Sequence, residues 1–324
     1  MRFGIFLPSG QWPEHSPADA LDRTIAAAVA AEEAGFDDVW LAEHHFMSYG
    51  VCPSATVLAG FLLGATSRIT VGTAVATLST RHPVALAEEA ALLSVASGGR
   101  FALGVGRGGP WIDLEVFGTG LARFEEAFPE SLDLLLACLS GETVRGRGPV
   151  FAFPEVPFVP RPRTAPGVHV ACTSPATEAL AAARGLPMLL GLHQSDPEKA
   201  EAVARYGSPA PHISANLAQV AESRVAAEAL LAEALPRWLG PGLAGHRAID
   251  GRPRPPRDPH AYAAGLVARG AVGTPAQCAA VLRATRETTG IGHQILLADA
   301  AGTPEAALEN IARLGAEVLP LVRD

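Results

Sequence analysis

Cysteine is scarce in this chain. Cys52, Cys138, Cys172 and Cys278 lie far apart, with no CxxC and no Cys-His metal spacing. That excludes a disulfide framework and a zinc site and leaves reduced thiols, as expected of a cytoplasmic protein. A basic excess is also missing, since 25 basic residues stand against 33 acidic ones for a formal net charge of −8. Phosphate backbones and anionic membranes need concentrated positive charge, so neither nucleic acid nor membrane is expected as a partner. No apolar run approaches the ~20 residues of a membrane helix. The stretch Met1 to Leu7 has one basic residue and stops at Pro8, which is too short for a secretory signal and reads as a first strand. Disorder is excluded as well, because 48% of the residues are hydrophobic and only 18% are charged.

What is present is a repeating strand–helix grammar. Ser16-Pro17-Ala18-Asp19 supplies an N-cap, a first-turn proline and a first-turn acid, and Leu21, Ile25 and Val29 form a buried stripe. The pattern predicts strands over 36–42, 68–76, 100–106, 168–171, 188–192, 212–220 and 294–297, and helices opened by Pro83, Ser174-Pro175, Asp196-Pro197, Thr274-Pro275 and Thr303-Pro304. Further helices are expected within 54–65, over 123–139 and over 223–238. Two stretches break the rhythm. Residues 142–166 interleave six prolines with Val and Phe and predict short antiparallel strands. Residues 240–270 hold Arg252-Pro253-Arg254-Pro255-Pro256-Arg257 and predict a solvated loop or a mobile lid. Eight strands, each followed by a helix, predict an α/β chain forming one (β/α)8 TIM barrel over 1–324. Its insertions follow the fourth helix and precede the last βα unit.

In such a barrel the carboxyl ends of the strands meet at one mouth. The second strand ends in Glu43-His44-His45, and later strand ends bring Thr73 to Thr77, Arg107, Cys172-Thr173-Ser174 and His193-Gln194. Adjacent His44 and His45 point in different directions if the strand continues, so one faces the ligand and the other packs. Arg107 in a glycine-rich turn suits an anion, or pairs with Asp113 or Glu43. Thr173, Ser174 and Thr177 surround a helix start, which suits a phosphate or only a cap. The combination points to a phosphorylated ligand with imidazole acid–base chemistry.

The motifs also carry a resemblance. Gly35-Phe36-Asp37 with Trp40-Leu41-Ala42-Glu43-His44-His45-Phe46, then Val71-Gly72-Thr73-Ala74, His82-Pro83-Val84, Arg107-Gly108, Val116-Phe117-Gly118 and Val272-Gly273-Thr274-Pro275, resemble the bacterial luciferase-like flavin monooxygenases in order and spacing. The resemblance implies reduced FMN as co-substrate, dioxygen, a small organic substrate such as a secondary metabolite, and a flavin reductase as partner. Residue by residue it implies His44 as the catalytic histidine, supported by Glu43, His45 and His193. It also implies Arg107 and Thr173 at the phosphate, a non-prolyl cis peptide at Ala74-Val75 beneath the flavin, and a homodimer through the helix Pro83–Ala96. The chain departs from the light emitters at Gly106, where they carry a cysteine, and at Leu192, where they carry a tryptophan. Cys172 replaces a glutamate and Ala176 a threonine, leaving Thr177 as the substitute hydroxyl. Together these departures open or reshape the substrate end and weaken a reading as long-chain aldehyde oxidation with light. The alternatives are an F420-dependent oxidoreductase on the same barrel and a non-catalytic flavin-binding protein.

Overall fold

The structure, a computed structural model, describes residues 1–323. Its first half runs β1 (Arg2–Leu7), α1 (Pro17–Glu33), β2 (Asp38–Leu41), α2 (Ala55–Ala65), β3 (Thr70–Thr73), β4 (Ala76–Thr77), α3 (Pro83–Ala96), β5 (Phe101–Gly106), α4 (Asp113–Val116), α5 (Gly120–Glu125) and α6 (Phe128–Ser140). Then follow β6 (Thr143–Arg147), β7 (Ala152–Pro157), β8 (Gly167–Ala171), α7 (Pro175–Ala182), β9 (Met188–Leu190), α8 (Asp196–Tyr206), β10 (Ile213–Val220) and α9 (Arg224–Ala244). The chain ends with α10 (Pro259–Arg269), β11 (Ala271–Gly273), α11 (Pro275–Thr289), β12 (His293–Leu297), α12 (Pro304–Arg313), a π-helical turn (Leu314–Val318) and α13 (Leu319–Val322).

Strands β1, β2, β3, β5, β8, β9, β10 and β12 pair in parallel in that order, and β12 closes onto β1, giving a closed eight-stranded barrel. Short β4 extends the β3 path against β5, β11 hangs on the edge of β10, and β6–β7 is a separate antiparallel hairpin. Helix starts follow the cap signals in the sequence. Ser16, Ser54, Ser174, Ser223, Thr274 and Thr303 each accept a hydrogen bond from a first-turn N–H, which satisfies a donor the helix itself leaves free.

The apolar groups divide between two layers. Trp40, Ala102, Leu189, Ile213, Ala215 and Ile295 fill the barrel interior, while the larger cluster lies between sheet and helices. Trp40 needs space that only glycine across the strand pair leaves: a Cβ on Gly72 would sit 2.5 Å from its ring. The indole then plugs the barrel below the mouth, and its Nε1 donates to Asp38 at 2.7 Å.

Several expectations change in the structure. The strand over 68–76 breaks after Thr73, where Ala74–Val75 is cis and the chain kinks before β4. The helix over 123–139 becomes α5 and α6, because Phe128-Pro129 opens a new helix after Ala127. Helix α9 runs on to Ala244 despite Pro236 and Pro241. Within 240–270 only residues 245–258 are irregular; Asp258-Pro259 caps and opens α10. The helix opened by Thr303-Pro304 stays helical to Val322 but passes through a π-helical turn at Leu314–Val318. No helix among the described residues is long and apolar enough to cross a membrane.

Candidate active site

A cavity of about 350 Å³ opens at the carboxyl ends of the barrel strands. This volume falls in the ~300–1,000 Å³ range of cofactor and ligand sites. Glu43, His44 and His45 enter from β2, Ala74, Val75 and Thr77 from β3 and β4, and Trp111 and Asp113 from the loop after β5. Thr173 enters after β8 and His193 after β9, and His246 and Tyr262 close the far side. A larger groove between α1 and α12 is lined mainly by alanines and lies on the outer helix layer, away from this chemistry.

Glu43 ties the near wall together. Its fully buried carboxylate accepts from Thr77 N at 3.0 Å and Ala55 N at 3.2 Å, and Arg81 Nη2 pairs with it at 3.3 Å. Burial pushes its pKa up, yet the neighbouring His45, the Arg81 charge and the two N–H groups outweigh burial and hold it below the ordinary value. One carboxylate thus joins the strand break at Ala74–Val75, the entry to α2 and the second imidazole. His45 Nε2 lies 3.7 Å from Glu43 Oε1 without a hydrogen bond, and its ring packs edge-on against Phe117.

His44 lies differently. Its backbone N–H donates to Cys52 O at 2.9 Å and its ring packs edge-on against Tyr49, but Nδ1 is sealed from solvent with no partner. Gly50 makes that placement possible, because a Cβ there would stand 2.4 Å from Nδ1. Burial first, then the nearby His246, lowers the His44 pKa to about 4, so the ring is neutral at neutral pH. A neutral imidazole with an unengaged nitrogen can take a proton or direct a hydrogen bond.

The expected phosphate residues separate. Thr173 lines the cavity beside the amino end of α7. Ser174 and Thr177 are joined in the capping box of that helix, so their hydroxyls are engaged in the cap. Cys172 points into the core, donates its thiol to Val170 O, and burial pushes its pKa up to about 12. Arg107 is not among the cavity walls. Its guanidinium stacks over Phe124 at 4.1 Å and borders a second depression with Glu125, Asp250 and Arg252, pairing with neither Asp113 nor Glu43. Gly106 leaves room for Val75, whose Cγ2 would be 2.6 Å from an added Cβ. The light emitters' cysteine therefore has no space here without movement of that wall.

Sequence reasoning missed the far wall. Asp113 is buried beside the cavity, and burial raises its pKa above the ordinary carboxylate value. His246 packs edge-on against Trp111 at 4.8 Å, and Tyr49 stacks on Trp238 at 5.1 Å. The irregular stretch is docked rather than loose: Trp111 and Ala248 form an antiparallel bridge, with Ile112 N donating to Arg247 O and Ile249 N to Pro110 O. A histidine in a glycine-rich loop carries no periodic signal; only this pairing brings it to the cavity.

A family model described as luciferase-like monooxygenase matches residues 1–293. The alkanal monooxygenase alpha chain of the Kryptophanaron alfredi symbiont is 36% identical over 201 residues, covering 61% of this chain and 56% of that one. The match thus spans little more than half of that relative's length. Among solved structures, monooxygenase RslO1 from Streptomyces bottropensis has a TM-score of 0.87 at 22% identity over 99% of both chains. The oxygenating constituent of 3,6-diketocamphane monooxygenase from Pseudomonas putida is a type II Baeyer-Villiger monooxygenase solved with FMN. It has a TM-score of 0.81 at 21% identity, covering 99% of this chain and 98% of that one. At these identities the structural likeness speaks to the fold alone.

Proposed function

This chain belongs to the luciferase-like monooxygenase family, and from that premise we propose that it uses reduced FMN from a separate reductase, with dioxygen, to oxygenate a small organic molecule. The observation that carries this reading is His44, a neutral imidazole that lines the cavity together with Ala74 and Val75. The residues present fit the ring end of the cofactor: apolar Ala74, Val75, Leu189 and Ala215 suit a flat heterocycle. Thr173 and the Ala176 N–H, the first-turn donor of α7 that the cap leaves free, would hold the phosphate, because a helix amino end favours an anion. Reduced FMN, when bound, supplies the electrons that activate dioxygen.

The chain's own residues supply positioning and proton control. His44 accepts a proton or holds a hydrogen bond through the ring edge that lines the cavity, and Glu43 fixes the wall that carries Thr77. The aromatic far wall of Tyr49, Trp111, His246 and Tyr262 keeps bulk water from the reacting centre. In two copies of the chain, α2 and α3 meet, because they expose Val57, Phe61, Leu92 and Val95; monomeric sedimentation at micromolar concentration speaks against this.

Anaerobic titration tests the cofactor assignment. Reduced FMN is expected to bind and, on admission of air with the true substrate, to give oxygenated product. Tight binding of reduced F420 with no affinity for reduced FMN would instead make the chain a hydride-transfer enzyme.

A further inference from the structure

Beside the main cavity lies a second one of about 470 Å³, formed under the arginine–proline strap by Trp111, His246, Arg254, Pro255, Pro256 and Arg257. Trp111 and His246 line both cavities, so this edge-on pair is the partition between them. The strap's three arginines have different fates. Arg254 is held by both oxygens of Asp250, at 2.7 and 2.6 Å, and Arg252 pairs with Glu125 at 3.6 Å. Arg257 forms no ion pair with any described residue; its guanidinium stands 5.7 Å from the ring of Tyr262, itself a wall of the main cavity.

Of the strap's three arginines, Arg257 is thus the one left without a carboxylate, and it borders a cavity walled by Trp111 and His246. Guanidinium matches a carboxylate in geometry and charge, and aromatic walls match a flat ring. We propose that Arg257 forms an anion subsite at the second cavity, and that the substrate is a planar aromatic compound carrying an acidic group. The ring lies along Trp111 and His246 and the acid meets Arg257. The charge of Arg257 also reaches the imidazoles: after burial itself, it is among the causes that hold His193 and His246 below their ordinary pKa. Naming this ligand the substrate rests on the flavin monooxygenase reading; the anion preference itself does not.

The test uses the full chain and a panel of benzoate, naphthalene-2-carboxylate and anthracene-2-carboxylate, each matched with its carboxamide. Binding is read by tryptophan fluorescence, with FMN binding measured in parallel. At least one carboxylate is expected to bind about tenfold or more tightly than its amide, the size of a charge-assisted hydrogen bond. Arg257→Gln is expected to remove that preference and Arg257→Glu to reverse it, with FMN affinity unchanged. Arg252→Gln, which changes a paired arginine on the same strap, is expected to keep it. Carboxylates and amides binding alike, no binding of either, or a preference surviving Arg257→Gln would overturn the proposal. So would a loss of FMN affinity in Arg257→Gln with the acid preference intact, since the guanidinium would then serve the cofactor's phosphate. Failure of the wild-type chain to bind FMN would defeat the flavin reading while leaving the acid preference to stand or fall by the same titration.

Discussion

Both ends of the barrel set histidines against a buried carboxylate, and the cavity of about 350 Å³ opens at one of them. At the closed end Asp38 accepts from Trp40 Nε1 and meets His293 Nε2 and Arg2 Nη2, each at 3.0 Å, while His169 packs edge-on against Trp40. At the open end Glu43 is bound by two N–H groups and Arg81, while His44 lines the cavity. The two carboxylates are alike in burial and in their lowered pKa: burial opposes ionisation at each and the surrounding donors outweigh it. His44 and His169 are alike too, both lowered to about 4 chiefly by burial and both with an unpartnered Nδ1. A perturbed pKa therefore does not by itself locate the chemistry in this molecule. The cavity does.

Substitutions separate the two ends. His44→Asn is expected to lower turnover about 10²- to 10⁴-fold, the usual size of a lost general acid–base group, with little change in folding. His169→Asn should leave turnover within a few-fold of wild type; a comparable loss there would dissolve the distinction between the ends. Glu43→Gln and Asp38→Asn are each expected to destabilise the chain by roughly 1–3 kcal/mol in denaturant melts, because each leaves buried donors facing a weaker acceptor. Only Glu43→Gln should also weaken FMN binding, since Thr77 and the Ala74–Val75 wall hang on it. Equal FMN affinity in both variants would make Glu43 a folding residue alone.

pH sharpens the similarity rather than the difference. A histidine whose folded pKa is about 4 stays neutral while its unfolded counterpart binds a proton below about 6.5, so stability falls as pH drops through that window. Each such histidine contributes a slope of up to about 1.4 kcal/mol per pH unit, and either asparagine substitution should flatten the curve by that amount. Glu43 and Asp38 act lower. Their folded values are depressed, so their contribution is full above the unfolded carboxylate pKa and is lost as pH falls through the folded one. The smallest effect is expected from Arg107→Met. With the guanidinium over Phe124 rather than at the cavity wall, FMN affinity should change by no more than a few-fold. A hundredfold loss would return Arg107 to the phosphate seat that the sequence resemblance implies.

Legibility in the sequence followed the range of the forces involved. Cap residues, first-turn prolines and strand-end glycines act within a few residues, so Ser16-Pro17, Ser174-Pro175 and Thr274-Pro275 marked helix starts where the structure has them. The proline-rich stretch read as antiparallel chain is the β6–β7 hairpin. Helix α10 was lost because its Asp258-Pro259 start is hidden behind the arginine–proline run, although the signal was present.

The order of strands and helices, and with it the closed parallel barrel and the Glu43-His44-His45 junction at its mouth, was determined by the sequence alone, since each piece depends on local periodicity and capping. Only the tertiary structure decided that His246, Asp113, Trp111 and Tyr262 share a cavity with His44, and that Arg107 faces Phe124. The shared cavity depends on contacts between segments far apart in the chain, such as the bridge from Trp111 to Ala248, and the place of Arg107 on how the segment after β5 folds back over it. No pattern within either segment specifies such a pairing.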